Sequence, residues 1–229
     1  QTAADQDLPR ALALRGACWR AGRGGDCVDT WRAAELYRRA AEQEYPPALC
    51  DLGLCYENAN GVEEDKARAA ALYRQAAELD YAPAMCNLAV CYLNGIGVEE
   101  NMGETVAWLE KAVAAGSPRA AGILGDFCLD GRGVEVDKER AISLYRQAAE
   151  RGYLPAVCLG LCYETGDGVA EDKEQAVAWY RKAAEGGYAP AQTNLAYCCL
   201  TGIGMEPDAA GAIPWLEKAA EQGNARAQS

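Results

Sequence analysis

A short phrase that returns at a fixed interval constrains the fold of this chain more than any other feature. The segment Tyr73–Glu78 recurs unchanged as Tyr145–Glu150, 72 residues later, which is two periods of 36. A second phrase, of the type Leu-Gly-Leu-Cys-Tyr, keeps the same interval. Related copies of the two phrases begin at Tyr37, Leu109, Tyr180 and Leu216, and at Leu52, Leu88, Leu124, Leu159 and Leu195. A period of this length is typical of units that bury their apolar faces by stacking on one another.

The spacing inside each repeat predicts two helices. In the third repeat Met85, Leu88 and Tyr92 recur at intervals of three and four residues, which places them on one helical face. Glycines then break the helix. Asn101, followed three residues later by Glu104, predicts the capped start of a second helix, with a capping box. Aspartate takes the same cap position in four other repeats, at Asp65, Asp137, Asp172 and Asp208.

These patterns predict an all-α fold, an α/α solenoid of six helix-turn-helix repeats over residues 9–224. The small residues Gly53, Ala89 and Ala76 let the paired helices approach closely. A lead-in precedes the repeats at 1–8, and 225–229 is either the start of a truncated seventh repeat or a C-terminal tail. The repeats span 9–45, 46–81, 82–117, 118–153, 154–188 and 189–224.

Three places depart from the repeat. Arg15 replaces a leucine in the first repeat, which indicates an end repeat that partly caps the stack. The fifth repeat is one residue short between Pro155 and Leu159, so we expect an irregular first turn there. Pro214 lies inside the last second helix, where its missing N–H should bend or delay the helix.

Composition limits the classes of partner. The net charge is −12 with no histidine, and an acidic chain is repelled by nucleic acid and by anionic membrane surfaces. No apolar run approaches the roughly 20 residues that a membrane-spanning helix needs. Cysteines without disulfide spacing favour the cytoplasm. Because the chain begins at Gln1, an exported protein whose signal has been removed stays an alternative.

The chain has 11 cysteines, and four of them are expected to act as small buried hydrophobic residues: Cys55, Cys91, Cys162 and Cys198. Pairs such as Cys50 and Cys55 lie about 7–8 Å apart along one helix, beyond the reach of a disulfide bond. The absence of a Cys-x-x-Cys motif argues against zinc and thioredoxin-like chemistry. Cys18 and Cys27 flank a glycine-rich loop, and they are the one pair that should be tested for a disulfide bond.

The chain resembles the Sel1-like repeat family, which is closely related to the tetratricopeptide repeats. The resemblance rests on four elements in a fixed order: Leu-Gly-x-x-Tyr, Gly-x-Gly-Val, Asp and Tyr-x-x-Ala-Ala-Glu. The resemblance covers about 9–224 in six copies. It implies a right-handed superhelix whose first helices line a concave face. It also implies adaptor roles in signalling, quality control, secretion or host contact.

A cysteine-rich secreted branch of that family joins its repeats by disulfides and has been linked to β-lactam binding or hydrolysis. The positions near the second-helix ends that would carry its cysteines hold alanines here. This departure weakens the β-lactam function, which stays the alternative. The alanines are Ala77, Ala149, Ala184 and Ala220.

Catalytic constellations are missing from the sequence. Without histidine the chain has no Ser–His–Asp or Cys–His unit and no histidine-containing zinc site. Neither Ser117 nor Ser143 is followed by lysine at the third position, which excludes a Ser-x-x-Lys nucleophile. Glycine pairs such as Gly95 and Gly97 follow helices rather than strands and lack the P-loop lysine. We therefore expect no enzyme, no metal and no cofactor.

By the geometry of the family, the exposed first-helix residues of repeats two to six would line the concave groove. Asn87 and Asn194 align with asparagines that grip peptides in some tetratricopeptide domains; a hydrogen bond to the neighbouring helix of the same repeat is the alternative. Acidic members make a basic or polar segment the expected ligand. The predicted groove consists of Cys50, Leu54, Glu57, Asn58, Cys86, Asn87, Val90, Asn94, Arg119, Asp126, Asp130, Leu161, Glu164, Thr165, Asn194, Tyr197 and Thr201.

The sequence thus favours a scaffold or adaptor that binds a partner protein or peptide in this groove. We expect a monomer that neither binds nucleic acid nor inserts into membranes.

Overall fold

The structure, a computed structural model, describes residues 3–22, 28–151 and 156–223. Within these residues twelve helices follow one another in six pairs, which confirms the all-α solenoid class. The helices are α1 (Ala3–Ala21), α2 (Thr30–Ala41), α3 (Pro46–Glu57), α4 (Lys66–Glu78), α5 (Ala82–Asn94), α6 (Met102–Ala114), α7 (Pro118–Asp130), α8 (Lys138–Glu150), α9 (Ala156–Thr165), α10 (Lys173–Glu185), α11 (Ala189–Thr201) and α12 (Ala209–Glu221).

The chain divides into two compact units, Gln1–Ser117 and Pro118–Ser229. In the N-terminal unit each first helix packs on the second helix of its own repeat, and α2 and α4 also pack on the first helix that follows them. The same order holds from α7 to α12 in the C-terminal unit. Each core is built from alanines, leucines and tyrosines of the repeated phrases; Tyr37, Tyr73, Tyr145 and Tyr180 are each at most 1% exposed.

The predicted caps begin the second helices. Asp65, Asp137, Asp172 and Asp208 each accept a hydrogen bond from the backbone N–H three residues later, at 2.8–2.9 Å. The N–H of the cap residue donates in turn to a carbonyl near the end of the preceding first helix, as from Asp65 to Tyr56. One residue thus starts the second helix and fixes its position against the first.

The capping box at Asn101 forms only in half. The Asn101 side chain accepts from the Glu104 N–H at 3.0 Å, as predicted. The Asn101 N–H, however, donates to the Tyr92 carbonyl, so it does not need the Glu104 carboxylate. That carboxylate instead accepts from the Trp108 ring N–H at 3.1 Å, one turn further along the helix.

The glycines after the first helices allow neighbouring repeats to pack closely. Gly97 has a φ of +68°, and a Cβ atom there would lie 2.0 Å from the Lys66 carbonyl oxygen. Gly204 meets Lys173 in the same way at 2.1 Å. The glycine therefore serves both the left-handed turn and the contact with the start of the preceding second helix.

The predictions for the chain ends, for Pro214 and for the fifth repeat have different outcomes. Residues 3–8, predicted as a lead-in, belong to α1, which runs through Pro9. Pro214 does not delay α12, because this helix begins directly after its cap, Asp208, and continues to Glu221. The first turn of the fifth repeat lies in part outside the described residues, and α9 spans 10 residues. The tail at 225–229 also lies outside them.

Candidate interaction surface

The first helices form the more tightly packed side of the N-terminal unit. Here α1 contacts α3 and α3 contacts α5, whereas α2 and α4, or α4 and α6, contact one another less. This is the arrangement expected when the first helices lie on the inner side of a curved stack. The predicted groove residues of this unit all lie on α3 and α5, except Asn58, which is the C-cap of α3.

One position recurs along the first helices as the most exposed apolar site of the predicted set. It follows the small residue of the Leu-Gly phrase. In the N-terminal unit Leu54 and Val90 take this position and are half-buried. In the C-terminal unit Leu161 and Tyr197 take it and are 44% and 48% exposed. The equivalent Asp126 is also exposed. The C-terminal unit therefore offers the larger exposed apolar area at this position.

Sequence reasoning missed Leu200, which is 51% exposed one turn beyond Tyr197 on α11. It takes the place that Glu57 and Glu164 hold in their repeats. The signal was present in the sequence, because the repeat with Leu200 carries Leu216 where the other two carry a tyrosine that needs a hydrogen-bond acceptor.

Two cysteines of the predicted groove are buried, which corrects their assignment. Cys50 is 6% exposed and Cys86 is 1% exposed, so neither thiol can meet a partner. The Asn87 amide donates to the Cys50 sulfur at 3.4 Å. This bond joins α5 to α3 of the preceding repeat, so it differs from the bond within one repeat that was the alternative role for Asn87. Asn194 is half-buried at the equivalent position of α11.

The acidic residues predicted to attract a ligand bind buried tyrosines of their own repeats. The Tyr73 hydroxyl donates to the Glu57 carboxylate at 2.5 Å, and the Tyr180 hydroxyl donates to Glu164 at 2.5 Å. In the fourth repeat the acceptor sits one turn earlier on the first helix, where Asp126 accepts from Tyr145 at 2.7 Å.

Burial, followed by the hydrogen bond and the charge of the carboxylate, holds the pKa of Tyr73, Tyr145 and Tyr180 well above its ordinary range. Desolvation also raises the pKa of Asp126, although its hydrogen bond from Tyr145 acts in the opposite direction. These carboxylates are therefore part of the folded framework. Asp130, the fourth predicted groove acid, is exposed at the end of α7.

Four polar side chains at the ends of first helices each donate a hydrogen bond to the backbone of their own helix. Each side chain donates to the carbonyl oxygen four residues earlier, at 2.8–3.1 Å, and each residue is exposed. They can still accept hydrogen bonds from a bound chain. They are Asn58, Asn94, Thr165 and Thr201. Arg119, near the start of α7, is exposed as well.

The buried-thiol prediction is confirmed for Cys55, Cys91, Cys162 and Cys198, which are at most 4% exposed. None of the ten cysteines in the described residues forms a disulfide bond, and Cys27 lies outside those residues. Burial raises the pKa of the Cys162 thiol to about 11, which leaves it protonated and unreactive near neutral pH.

No group of three potential ligand residues in the described segments could hold a metal ion. No helix there is both long and apolar enough to cross a membrane.

The repeat pattern, the helix pairs and the cap geometry agree with a known repeat family. The Sel1 repeat matches residues 28–45, 46–81, 82–117, 118–153, 159–188 and 189–224. The chain belongs to the Sel1 repeat family. In this Sel1 repeat protein the match to the first repeat begins only at residue 28, so it covers α2 but not α1.

Solved structures give the same result. A protective antigen of uropathogenic Escherichia coli is 35% identical with a TM-score of 0.81, over 98% of this chain and 48% of that protein. A Sel1 repeat protein of Oxalobacter formigenes is 31% identical with a TM-score of 0.85, over 98% and 65%. This chain thus spans about half to two thirds of their length. An immunity protein of Pseudomonas aeruginosa shares the fold at 21% identity and a TM-score of 0.65, over 95% and 83%. No curated protein matches the chain.

Proposed function

We propose that this Sel1 repeat protein is an interaction scaffold that binds a polar or basic partner segment on the first helices of its C-terminal unit. The observation that carries the proposal is the exposure of Leu161, Tyr197 and Leu200, which are 44%, 48% and 51% exposed. Large apolar side chains on the open face of a repeat array are typical of a protein-binding surface.

The chemistry of this surface suits an extended peptide. Tyr197 combines a broad apolar ring with a hydroxyl, a residue type that is enriched at the energetic centres of interfaces. Thr165 and Thr201 provide hydroxyl oxygens that can accept hydrogen bonds, and Asp130 adds negative charge at the end of α7. Apolar side chains of a partner would contact Leu161 and Tyr197, while its polar or basic groups would contact the threonines and Asp130.

The proposal does not include catalysis. The chain has no histidine, and its core thiols are buried with raised pKa values. The chain therefore has no nucleophile activated by histidine, and these buried thiols are not poised to attack a substrate.

The test is affinity capture from extracts of the source organism, with bound proteins identified by mass spectrometry. The double variant Leu161→Asp/Tyr197→Asp should lose the captured partner, because two charges would replace the apolar contacts. Ile213→Asp is the matched control, since Ile213 is 55% exposed but lies on the second helix α12. Retention of the partner by both variants would contradict the proposal.

Charge reversal of Glu57 or Asp126 would be a poor test of binding. Each carboxylate accepts the hydrogen bond of a buried tyrosine, so reversal would destabilise the repeat as well as change the surface charge. The variants at Leu161 and Tyr197 avoid this difficulty because both side chains are already exposed.

A further inference from the structure

The first helix pair has the opposite charge balance from the rest of the chain. Residues 3–41, which span this pair, contain seven arginines and five acidic residues. The remaining residues contain 15 basic and 29 acidic residues. A basic region on a strongly acidic protein attracts partners that the rest of its surface repels.

A cleft of about 280 Å³ opens in this basic region. Trp31 is the most exposed large hydrophobic residue of the described chain, at 66%. Beside it, the Arg32 guanidinium lies over the Trp19 ring, 4.8 Å from the ring centroid. The residues that line the cleft are Arg15, Trp19, Trp31, Arg32, Glu35 and Leu36.

Two of these residues are peculiar to the first repeat. The leucines that correspond to Arg15 are buried, at no more than 3% exposure, whereas Arg15 is exposed. Trp31 stands where the other repeats have alanine, glycine or glutamate. The corresponding leucines are Leu52, Leu88, Leu124, Leu159 and Leu195, and the residues that correspond to Trp31 are Ala67, Gly103, Glu139, Glu174 and Ala210.

The Arg–aromatic stack, by contrast, recurs in the second repeat, where Arg68 lies 4.5 Å from the centroid of the Tyr56 ring. Stacking of Arg32 on Trp19 is therefore part of the repeat architecture. Arg15 and Trp31 are additions to it, and the core of the first repeat does not require them. This distinction shows which side chains are available to a ligand.

The ion pairs near the cleft leave a net positive charge. Arg32 pairs with Asp29 at 3.3 Å, and Glu35 pairs with Arg38. The Glu35 carboxylate, which lines the cleft, is thus neutralised by Arg38, which does not line it. Arg15 makes no ion pair within the described residues and has its guanidinium available for an incoming carboxylate.

We propose that this cleft binds an acidic linear segment of a partner protein, with an apolar side chain of that segment against Trp31 and a carboxylate on Arg15. Arginine holds carboxylates through paired N–H donors, and tryptophan and arginine dominate the energetic centres of interfaces. The site lies on the first repeat, uses none of the residues of the proposed groove and takes a partner of opposite charge. The scaffold would therefore bring an acidic and a basic segment together.

The test uses a fluorescein-labelled peptide of glutamates and aspartates around two leucines, titrated with the whole chain by fluorescence anisotropy. A matched peptide with lysine in place of each acid has the same apolar residues. The acidic probe should bind, more weakly at higher salt, and the lysine probe should not bind at this site. Trp31→Ala and Arg15→Glu should each lower the affinity for the acidic probe by about tenfold or more.

Arg181→Glu is the control for net charge, because Arg181 is exposed on α10 outside the cleft. It should change the affinity for the acidic probe by less than about twofold. Arg15→Gln provides a second cleft variant without a new negative charge, and circular dichroism of each variant reports whether the helices persist. The groove variant Leu161→Asp/Tyr197→Asp should bind the acidic probe normally, so failure of the groove proposal would leave this one intact.

Equal binding of the two probes, or unchanged binding in Trp31→Ala and Arg15→Glu, would overturn the proposal. The proposal would also be overturned if the acidic probe did not bind and the chain self-associated in a way that Trp31→Ala abolishes. The occupant of the cleft would then be a second copy of this chain. Loss of acidic-probe binding in Arg181→Glu would show that only the overall charge matters.

Discussion

Gly53 and Tyr73 fit so closely that a Cβ atom on Gly53 would lie 2.6 Å from Cε1 of Tyr73. The same pairing occurs at Gly16 with Tyr37, at Gly125 with Tyr145 and at Gly160 with Tyr180, at 2.8, 2.6 and 2.5 Å. In the two remaining repeats alanine replaces the glycine and leucine replaces the tyrosine, at Ala89 with Leu109 and Ala196 with Leu216. A large ring on the second helix thus requires glycine on the first.

This pairing predicts that Gly53→Ala destabilises the protein. Alanine gains about 1 kcal/mol of helix propensity, but its methyl group would collide with a fully buried ring, and overpacking costs about 1–3 kcal/mol. We expect a net loss of up to about 2 kcal/mol, measured by urea unfolding. The triple variant Gly53→Ala/Glu57→Leu/Tyr73→Leu, which reproduces Ala89, Leu93 and Leu109, should recover most of that loss.

Gly103→Ala is the control for helix propensity alone. Gly103 is exposed in the first turn of α6, where a Cβ atom would meet only the Asn101 side chain at 3.3 Å. This variant should stabilise slightly. If Gly53→Ala stabilises to the same extent, the close fit between Gly53 and Tyr73 does not govern the packing.

The hydroxyl groups of the buried tyrosines predict a second difference between repeats. Tyr73 donates to Glu57, but the Tyr37 hydroxyl is buried without a hydrogen-bond partner in the described structure, because Arg20 takes the place of the glutamate. Tyr73→Phe should therefore cost about 1–2 kcal/mol in urea unfolding. Tyr37→Phe should be neutral or slightly stabilising, since it removes a buried polar group that has no acceptor.

Tyr180→Phe serves as the matched comparison, because Glu164 accepts from Tyr180 as Glu57 does from Tyr73. It should resemble Tyr73→Phe rather than Tyr37→Phe. Equal losses for all three variants would mean that the phenol rings, and not their hydrogen bonds, determine the effect.

The helices and their caps could be predicted from the sequence because both depend on local spacing. The role of Glu57 could not be, since its hydrogen bond to Tyr73 joins residues 16 apart on two helices. A glutamate on an exposed stripe is typical of a surface, and only the position of the facing hydroxyl shows that it satisfies a buried group. The burial of Cys50 and Cys86 was missed for the same reason, because their cover comes from other helices.

The buried thiols predict that the protein loses stability at alkaline pH. Burial raises the pKa of Cys91 to about 12 and of Cys55, Cys162 and Cys198 to about 11, from an ordinary value near 9. Because the folded pKa is raised, the unfolded chain releases these protons first. The stability is complete below about pH 9 and falls as the pH rises towards 11, by up to about 1.4 kcal/mol per pH unit for each thiol.

The measurement is the urea unfolding midpoint in reducing buffer between neutral pH and pH 10. Cys91→Ala should lower stability at neutral pH because it leaves a small void, but it should also make the alkaline decline shallower. An alkaline decline of unchanged steepness would show that the Cys91 thiol does not contribute. The tyrosines, whose pKa values are also raised, add to the decline only above about pH 10.

Two of the turns that follow second helices carry a strained residue where other repeats have glycine. Glu44 and Asp80 have φ angles of 54° and 58°, whereas Gly116 and Gly187 have 86° and 88° at the equivalent positions. A side chain in this left-handed region costs about 1–2 kcal/mol relative to glycine, and asparagine and aspartate tolerate it better than glutamate. Glu44→Gly should therefore stabilise the protein by about 0.5–1 kcal/mol, and Asp80→Gly by less, once the greater freedom of the unfolded glycine is subtracted.

Gly187→Ala is the reverse experiment. A Cβ atom at Gly187 meets nothing within 4 Å, so any loss of stability must come from the backbone conformation and not from a collision. We expect a loss of about 1 kcal/mol in the thermal or urea transition. Destabilisation by Glu44→Gly would contradict this account, because it would mean that the Glu44 side chain contributes more to the turn than its backbone strain removes.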